Sequence, residues 1–249
     1  MTTQEKINLT WEHCVDRFGE RRCIALTLHG SQNYECDTLD SDVDAKLMVM
    51  PTMDEIINCW KPMSKTIKGP YGDINVTDIR LFIGNNLHKQ NFNFIECLFT
   101  KYFVINPRYA TIWDLLIHYR EEIAHYDPEL AVRTMMGQMQ NQANRWDRFD
   151  NKKTLYHMLR IRYAIGSYVQ GKPFAETLAP PPHVKELIRE VRLGKIVQED
   201  MKIYAQKAFL DATEAAKLAA EMPKSERANE IMMNIQEKFI RRMLEEELR

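Results

Sequence analysis

The sequence predicts an α+β protein, a short mixed β-sheet flanked by helices in residues 1–105 followed by an α-helical C-terminal region. Three observations predict it. Apolar runs at Cys23–Leu28 and Lys46–Met50 bracket a polar linker that opens with Gly30-Ser31, which reads as strand, turn, strand. From Ile112 onward, apolar residues recur at helical spacing. Ala179-Pro180-Pro181-Pro182 then forms a stiff connector, after which charged helices take over, giving segments 106–178 and 179–249.

The elements follow in order. Ile7, Trp11, Cys14, Val15 and Phe18 recur at helical spacing and predict a helix over Glu5–Phe18. After the two strands, Pro51-Thr52-Met53-Asp54 reads as a helix start, with a short helix over Glu55–Trp60 before the breaks at Pro62 and Gly69-Pro70. A strand over Asp73–Val76 completes the minimal sheet. Packing helices are expected over Ile79–Leu87 and Phe94–Phe103, with Glu96 a structural acid facing Arg80 or Lys101. Asn106–Tyr109 reads as a loop, followed by helices over Ile112–His125, Pro128–Phe149 and Asn151–Gln170, the last stopped by Gly171-Lys172-Pro173. Beyond the connector, helices are expected over Val184–Leu193, Gln198–Glu221 and Ser225–Leu248. In the last, Ile231, Ile235, Phe239 and Met243 form a stripe suited to packing or to homo-oligomer contact.

The chemistry concentrates in HGSQNYECDTLDSDVDAKLMVM, His29 to Met50. Strand side chains alternate, so Asp42 and Asp44 project to one side while Val43 points into the sheet. Two carboxylates on one edge suit Mg²⁺, which takes one or two carboxylates and fills its shell with water and phosphate oxygens. Gly30 lets the backbone turn closely, and the Ser31 hydroxyl with neighbouring N–H groups would cradle a phosphate, aided by a helix N-terminus near Ser31. Either dipeptide alone reads as a solvated loop; the ordered combination reads as a nucleotidyl-transfer site.

The GSQNY…DSDVDAK wording resembles the signature of the DNA polymerase β-like nucleotidyltransferase superfamily, and within it a branch of predicted nucleotidyltransferases of bacteria and phages associated with RNA repair. The resemblance implies a catalytic α/β core in which Gly30-Ser31 holds a nucleoside triphosphate and three acids hold two divalent metals, Mg²⁺ or Mn²⁺. The third acid normally opens a later strand, which in GDINV is Asp73. Asp78 competes for that place, although its position before Ile79–Ile83 suits a helix N-cap. Two metals would stabilise the entering and departing oxygens when a hydroxyl attacks the α-phosphorus. Lys46 reads equally as a phosphate ligand and as a solvated strand lysine.

The helical part resembles the same branch more loosely, through about Gly171, and such a part normally closes over the nucleotide or presents the acceptor. Lys153, His157 and Arg160 stand at steps of four and three on one helical stripe, and the branch has a similar Lys…His…Arg pattern. They are expected to bind the β- and γ-phosphates or the acceptor backbone; otherwise they form a solvated face. Arg133, Arg145 and Arg148, near Trp146 and Phe149, suit a single strand held by phosphate pairing and stacking, or an ordinary helix surface.

Composition sets the remaining bounds. The 249 residues are 45% hydrophobic and 28% charged, ordinary for a globular chain. No apolar run approaches the ~20 residues of a membrane span, and Met1–Lys6 does not resemble a signal peptide, so a cytoplasmic protein without membrane contact is expected. Five cysteines without paired spacing read as reduced packing thiols, and 14 methionines as core filling. A net charge of −1 argues against long duplex nucleic acid held by global attraction. The expected partners are an NTP and an acceptor, RNA or, in a toxin-like transferase, a protein hydroxyl. A third reading is a nucleotide-binding regulatory protein without catalysis.

Overall fold

A computed structural model describes residues 1–38, 41–146 and 151–247. It is α+β, with a five-stranded mixed sheet followed by a helical C-terminal region. Helix α1 (Thr3–Phe18) begins at a capping box between Thr2 and Glu5, which satisfies two backbone donors at once. Strand β1 (Cys23–His29) pairs antiparallel with β2 (Asp44–Val49), and β2 pairs parallel with β4 (Asp73–Asp78). The crossover carries α2 (Met53–Ile57), capped by Thr52, and β3 (Ser64–Lys68), which pairs antiparallel with β4. With β5 (Phe103–Ile105), the order is β3-β4-β2-β1-β5.

Two of these strands are absent from the sequence-based expectation. In β3 only Ile67 is buried, because an exposed edge strand has little apolar alternation to reveal it. The segment expected as one helix over Phe94–Phe103 divides into α4 (Phe92–Ile95), a 3₁₀ turn at Glu96–Leu98 and finally β5, whose three residues pair with Ala25, Leu26 and Thr27. Between β4 and α4, Asp78 caps α3 (Ile79–Leu81), accepting from the Arg80 N–H at 2.8 Å and pairing with the Arg80 guanidinium at 2.7 Å. Asp78 is thereby occupied as a helix cap. A π-helical turn over Phe82–Leu87 continues α3.

The sheet separates two apolar clusters. Odd-numbered residues of β2 (Ala45, Leu47, Val49) face α1 together with Ile74 and Val76, whereas Met48 and Met50 join the larger cluster beneath the helices. Asp44 and Lys46 therefore share the helical side.

The helical part comprises α5 (Ala110–His118), α6 (Arg120–Ala124), α7 (Pro128–Ala143), α8 (Asn151–Tyr168) and α9 (Phe174–Leu178). Beyond the proline connector lie α10 (Pro182–Arg192), α11 (Gln198–Ala216) and α12 (Glu226–Glu247). The expected Ile112–His125 helix breaks at Tyr119, where φ −98° and ψ 12° leave the α region. Among the described residues no helix is long and apolar enough to cross a membrane. The C-terminal stripe is used for packing within the chain: Ile235, Phe239 and Met243 are buried, and Phe239 lies 6.2 Å from the Tyr109 ring.

Because α12 closes the same cluster that backs the sheet, truncating Phe239 to Ala should lower unfolding stability by about 3–5 kcal/mol. Urea denaturation should show a lower midpoint at an unchanged slope if α12 unfolds with the rest.

Candidate functional site

Asp44 is the first residue of β2 and sits where three elements meet. It pairs across β1 with His29, and one of its oxygens, Oδ1, accepts the backbone N–H of Asp73 at 2.8 Å. The preceding Val43 N–H donates to the Tyr71 carbonyl at 2.9 Å. Between those two bonds lies Gly72, where a Cβ would stand 2.7 Å from the Val43 carbonyl group and 2.8 Å from Asp44 Oδ1. Only glycine lets the Tyr71–Asp73 backbone clasp Val43–Asp44 this closely.

The Gly30-Ser31 turn is built with equal economy. Gly30 adopts φ 113°, a conformation open to glycine, and caps the 3₁₀ turn Ser31–Tyr34. Within that turn each following side chain has a task. Gln32 donates to the Asp42 carbonyl at 2.8 Å, tying the turn to the acidic edge. Asn33 donates to the Leu28 carbonyl at 3.1 Å and accepts from Thr100 at 2.7 Å. The Tyr34 hydroxyl donates to Glu96, whose other oxygen accepts from His29 Nδ1. Glu96 is fully buried, so its partners are His29 and Tyr34 rather than the expected Arg80 or Lys101.

Gly30, Ser31, Asp42 and Asp44 line one cleft of about 670 Å³, and α8 supplies Lys153, His157 and Arg160 to the same cleft. Its size falls within the range of small-molecule sites. Arg160 is 4% exposed, with its guanidinium 4.0 Å from the Tyr34 ring and 5.3 Å from the Phe92 ring. Its Nε and Nη1 have no hydrogen-bond partner. A buried guanidinium with unused N–H groups is held ready for an anion, since leaving such donors unmade is costly. Burial, with the charges of Arg160 and Lys153 nearby, pushes the His157 imidazole down to about 3, so it is neutral near pH 7.

Two expected residues lie elsewhere. Lys46 is buried and does not line the cleft; its ammonium lies 5.0 Å from the Phe94 ring centroid. Desolvation pushes its pKa down to about 8 against the pull of Cys97 and Asp44. It is thus neither a solvated strand lysine nor a direct phosphate ligand in this arrangement. Asp73 reaches Asp44 through its backbone, but its half-exposed carboxylate pairs with Lys68 Nζ at 2.7 Å and is not part of the cleft lining. Among the described residues no three His, Cys, Asp or Glu side chains group into a metal-holding set. Asp42 and Asp44 both line the cleft, and theirs are the carboxylates that would hold a hard divalent cation there. Asp73 would add a third carboxylate only on leaving Lys68.

Sequence reasoning missed the hydrogen-bonded triad that His29 and Tyr34 form around the buried Glu96, although HGSQNY displays the first two. It also missed Arg192, which α10 extends from the C-terminal region to donate to the Cys36 carbonyl and, at 3.2 Å, to Ser41 Oγ, one residue before Asp42. Arg192 lines the cleft as well. Of the second basic cluster, Arg133 pairs with Glu129 at 2.6 Å, Arg145 lines the cleft, Trp146 packs on the core, and Arg148 and Phe149 lie outside the described residues. Compared with models of known families and with curated proteins, the chain matches none.

Gly72→Ala should destabilise the fold by about 1–3 kcal/mol and displace Asp44, because the added methyl meets backbone that cannot move independently. Thermal denaturation and Mn²⁺ titration would report the two effects.

His157 makes a signed prediction for pH. Unfolded, it takes up a proton near 6.5; folded, only near 3. Between those values the unfolded state binds more protons, so stability rises with pH across the window and is lost on acidification, by about 1.4 kcal/mol per pH unit for one proton. Denaturation midpoints of wild type and His157→Asn should therefore diverge below about pH 6.5, with the variant less acid-sensitive.

Proposed function

We propose that the protein is a metal-dependent nucleotidyltransferase that transfers NMP from an NTP to an acceptor hydroxyl or phosphate, an RNA end being the favoured acceptor. The observation that carries this reading is the meeting, in one cleft, of the Asp42/Asp44 edge with the buried guanidinium of Arg160, whose Nε and Nη1 have no hydrogen-bond partner. One end suits a hard cation and the other an anion, which together describe a metal triphosphate.

In this reading Ser31 and the Gly30 turn hold the triphosphate beside Asp42 and Asp44, while Arg160, Lys153 and neutral His157 bind its outer phosphates. The acceptor oxygen, a hydroxyl's proton passing to water, bonds to the α-phosphorus as the bond to the bridging oxygen breaks, and pyrophosphate departs toward the Arg160 side. Asp42 and Asp44 would hold Mg²⁺, which when bound would supply charge stabilisation at the reacting phosphate. The cationic groups of α8 compensate the charge that builds on pyrophosphate. Asp73 joins the carboxylate set after leaving Lys68. The free cysteines, of which four are buried, support action in a reducing compartment, the cytoplasm.

The Asp73–Lys68 pair is the observation that favours a second reading, a nucleotide-binding protein without transfer. Incubation with Mg²⁺, each α-labelled NTP and RNA or lysate separates the readings. Wild type should label RNA, and Asp42→Ala/Asp44→Ala should not. Arg160→Met should weaken nucleotide binding by about tenfold to a hundredfold, as expected for a lost charge-assisted contact. Label on protein would favour the protein-modifying transferase, and binding without any transfer would favour the regulatory reading.

A further inference from the structure

The cleft lining contributed by α7 differs in kind from that of α8. Gln138, Asn141 and Gln142 stand at i, i+3 and i+4, a single helical stripe, and all three line the cleft. None of their side-chain amides is hydrogen-bonded to another described residue. The contrast within the same helix is informative. Gln140 and Asn144, one step around the helix, satisfy each other at 3.0 Å, and Glu129 and Arg133 form an ion pair at 2.6 Å. The amides that face the cleft are those left with donors and acceptors unused. The inward side of α7, with Ala131, Val132, Met135 and Met139 buried, is fully occupied by packing, so the amide stripe is not needed to hold the helix in place.

We propose that this amide stripe is the base-reading wall of the cleft, taking the nucleobase of the bound nucleotide. The inference rests on the nucleotide reading above and adds the part of the ligand that this wall contacts. A charge-assisted hydrogen bond to phosphate is roughly twice as strong as a neutral one, so the triphosphate is drawn to Arg160, Lys153 and Arg192 rather than to neutral amides. What remains for the amides is the uncharged end of the nucleotide. A carboxamide offers a donor and an acceptor side by side in one plane, the pattern that Asn and Gln use to pair with a base edge. Asn93 of α4 adds a further carboxamide to the same lining. A carboxylate at these positions would repel the triphosphate, and a cation would compete for it; amides do neither.

The test is calorimetric titration of the full chain, with Mg²⁺ present, with ATP, GTP, CTP, UTP and inorganic tripolyphosphate. Wild type should bind at least one NTP about tenfold or more tighter than tripolyphosphate, the scale of one to two neutral hydrogen bonds. In Gln138→Ala/Asn141→Ala/Gln142→Ala that preference should collapse to about twofold or less, with tripolyphosphate affinity unchanged. Alanine is the best helix former, and far-UV circular dichroism checks that α7 persists. Gln142→Glu, which keeps the shape but removes the donor, should also weaken the preferred NTP relative to other NTPs. Retention of the preference by the triple variant would overturn the proposal. So would equal wild-type affinity for tripolyphosphate and every NTP, a result that leaves the phosphate site standing. Failure of wild type to bind either NTP or tripolyphosphate would overturn the nucleotide reading itself, and the base wall with it.

Discussion

The site depends on the buried carboxylate of Glu96. A carboxyl group removed from water is costly unless its oxygens are satisfied, and here one oxygen accepts from His29 and the other from Tyr34. His29 ends β1, and Tyr34 ends the turn that follows, so Glu96 fixes both ends of the Gly30-Ser31 bend from beneath. The same Tyr34 ring carries the Arg160 guanidinium on its face at 4.0 Å. A single buried acid in the 3₁₀ turn after α4 therefore sets the turn, the strand end and, through Tyr34, the principal cation of α8.

That chain of contacts explains how the cleft holds positive charge without a resident anion. Arg160 lies against two aromatic faces, and its Nε and Nη1 have no hydrogen-bond partner among the described residues. His157 beside it remains neutral because burial and neighbouring cations both oppose protonation. The acidic edge has partners of its own: Asp44 is engaged by the Asp73 backbone, and Asp73 by Lys68, which also feels the charges of Asp42 and Asp44. Had Arg160 been paired with Asp44 instead, each would have neutralised the other, and neither a cation nor an anion would find an open partner.

The strand-turn-strand core was legible because two signals agreed: apolar runs in β1 and β2, and Gly30 at a position that requires positive φ. Most long helices were legible from spacing with Pro and Gly stops, but Phe94–Phe103 is not one helix and Ile112–His125 breaks at Tyr119. Strands β3 and β5 were not, since one is a polar edge with a single buried residue and the other spans three residues. At the site, Asp42, Asp44, Gly30, Ser31 and the α8 stripe come together as their residue types suggested. Lys46 and Glu96 were misplaced for a common reason: a lone charged side chain reads as exposed until the elements covering it are known. Asp73 shows the limit of register, which puts its backbone beside Asp44 but says nothing about which way its carboxylate turns.

The C-terminal helices would be an appendage by sequence, beginning after three prolines and rich in charge. Arg192 argues otherwise. It crosses from α10 to the Cys36 carbonyl, to Thr38 and to Ser41, and lies 5.3 Å from the Tyr156 ring of α8. Lys185, two turns earlier on α10, pairs with Glu35 in the same loop. The loop that leads to Asp42 is thus held from one side by Gln32 of the turn and from the other by α10. The approach to Asp42 is positioned in part by a segment more than a hundred residues distant in sequence, through polar contacts to Cys36, Thr38 and Ser41. The C-terminal region is part of the site's construction, and its removal would leave the Asp42 strand entry tethered on one side alone.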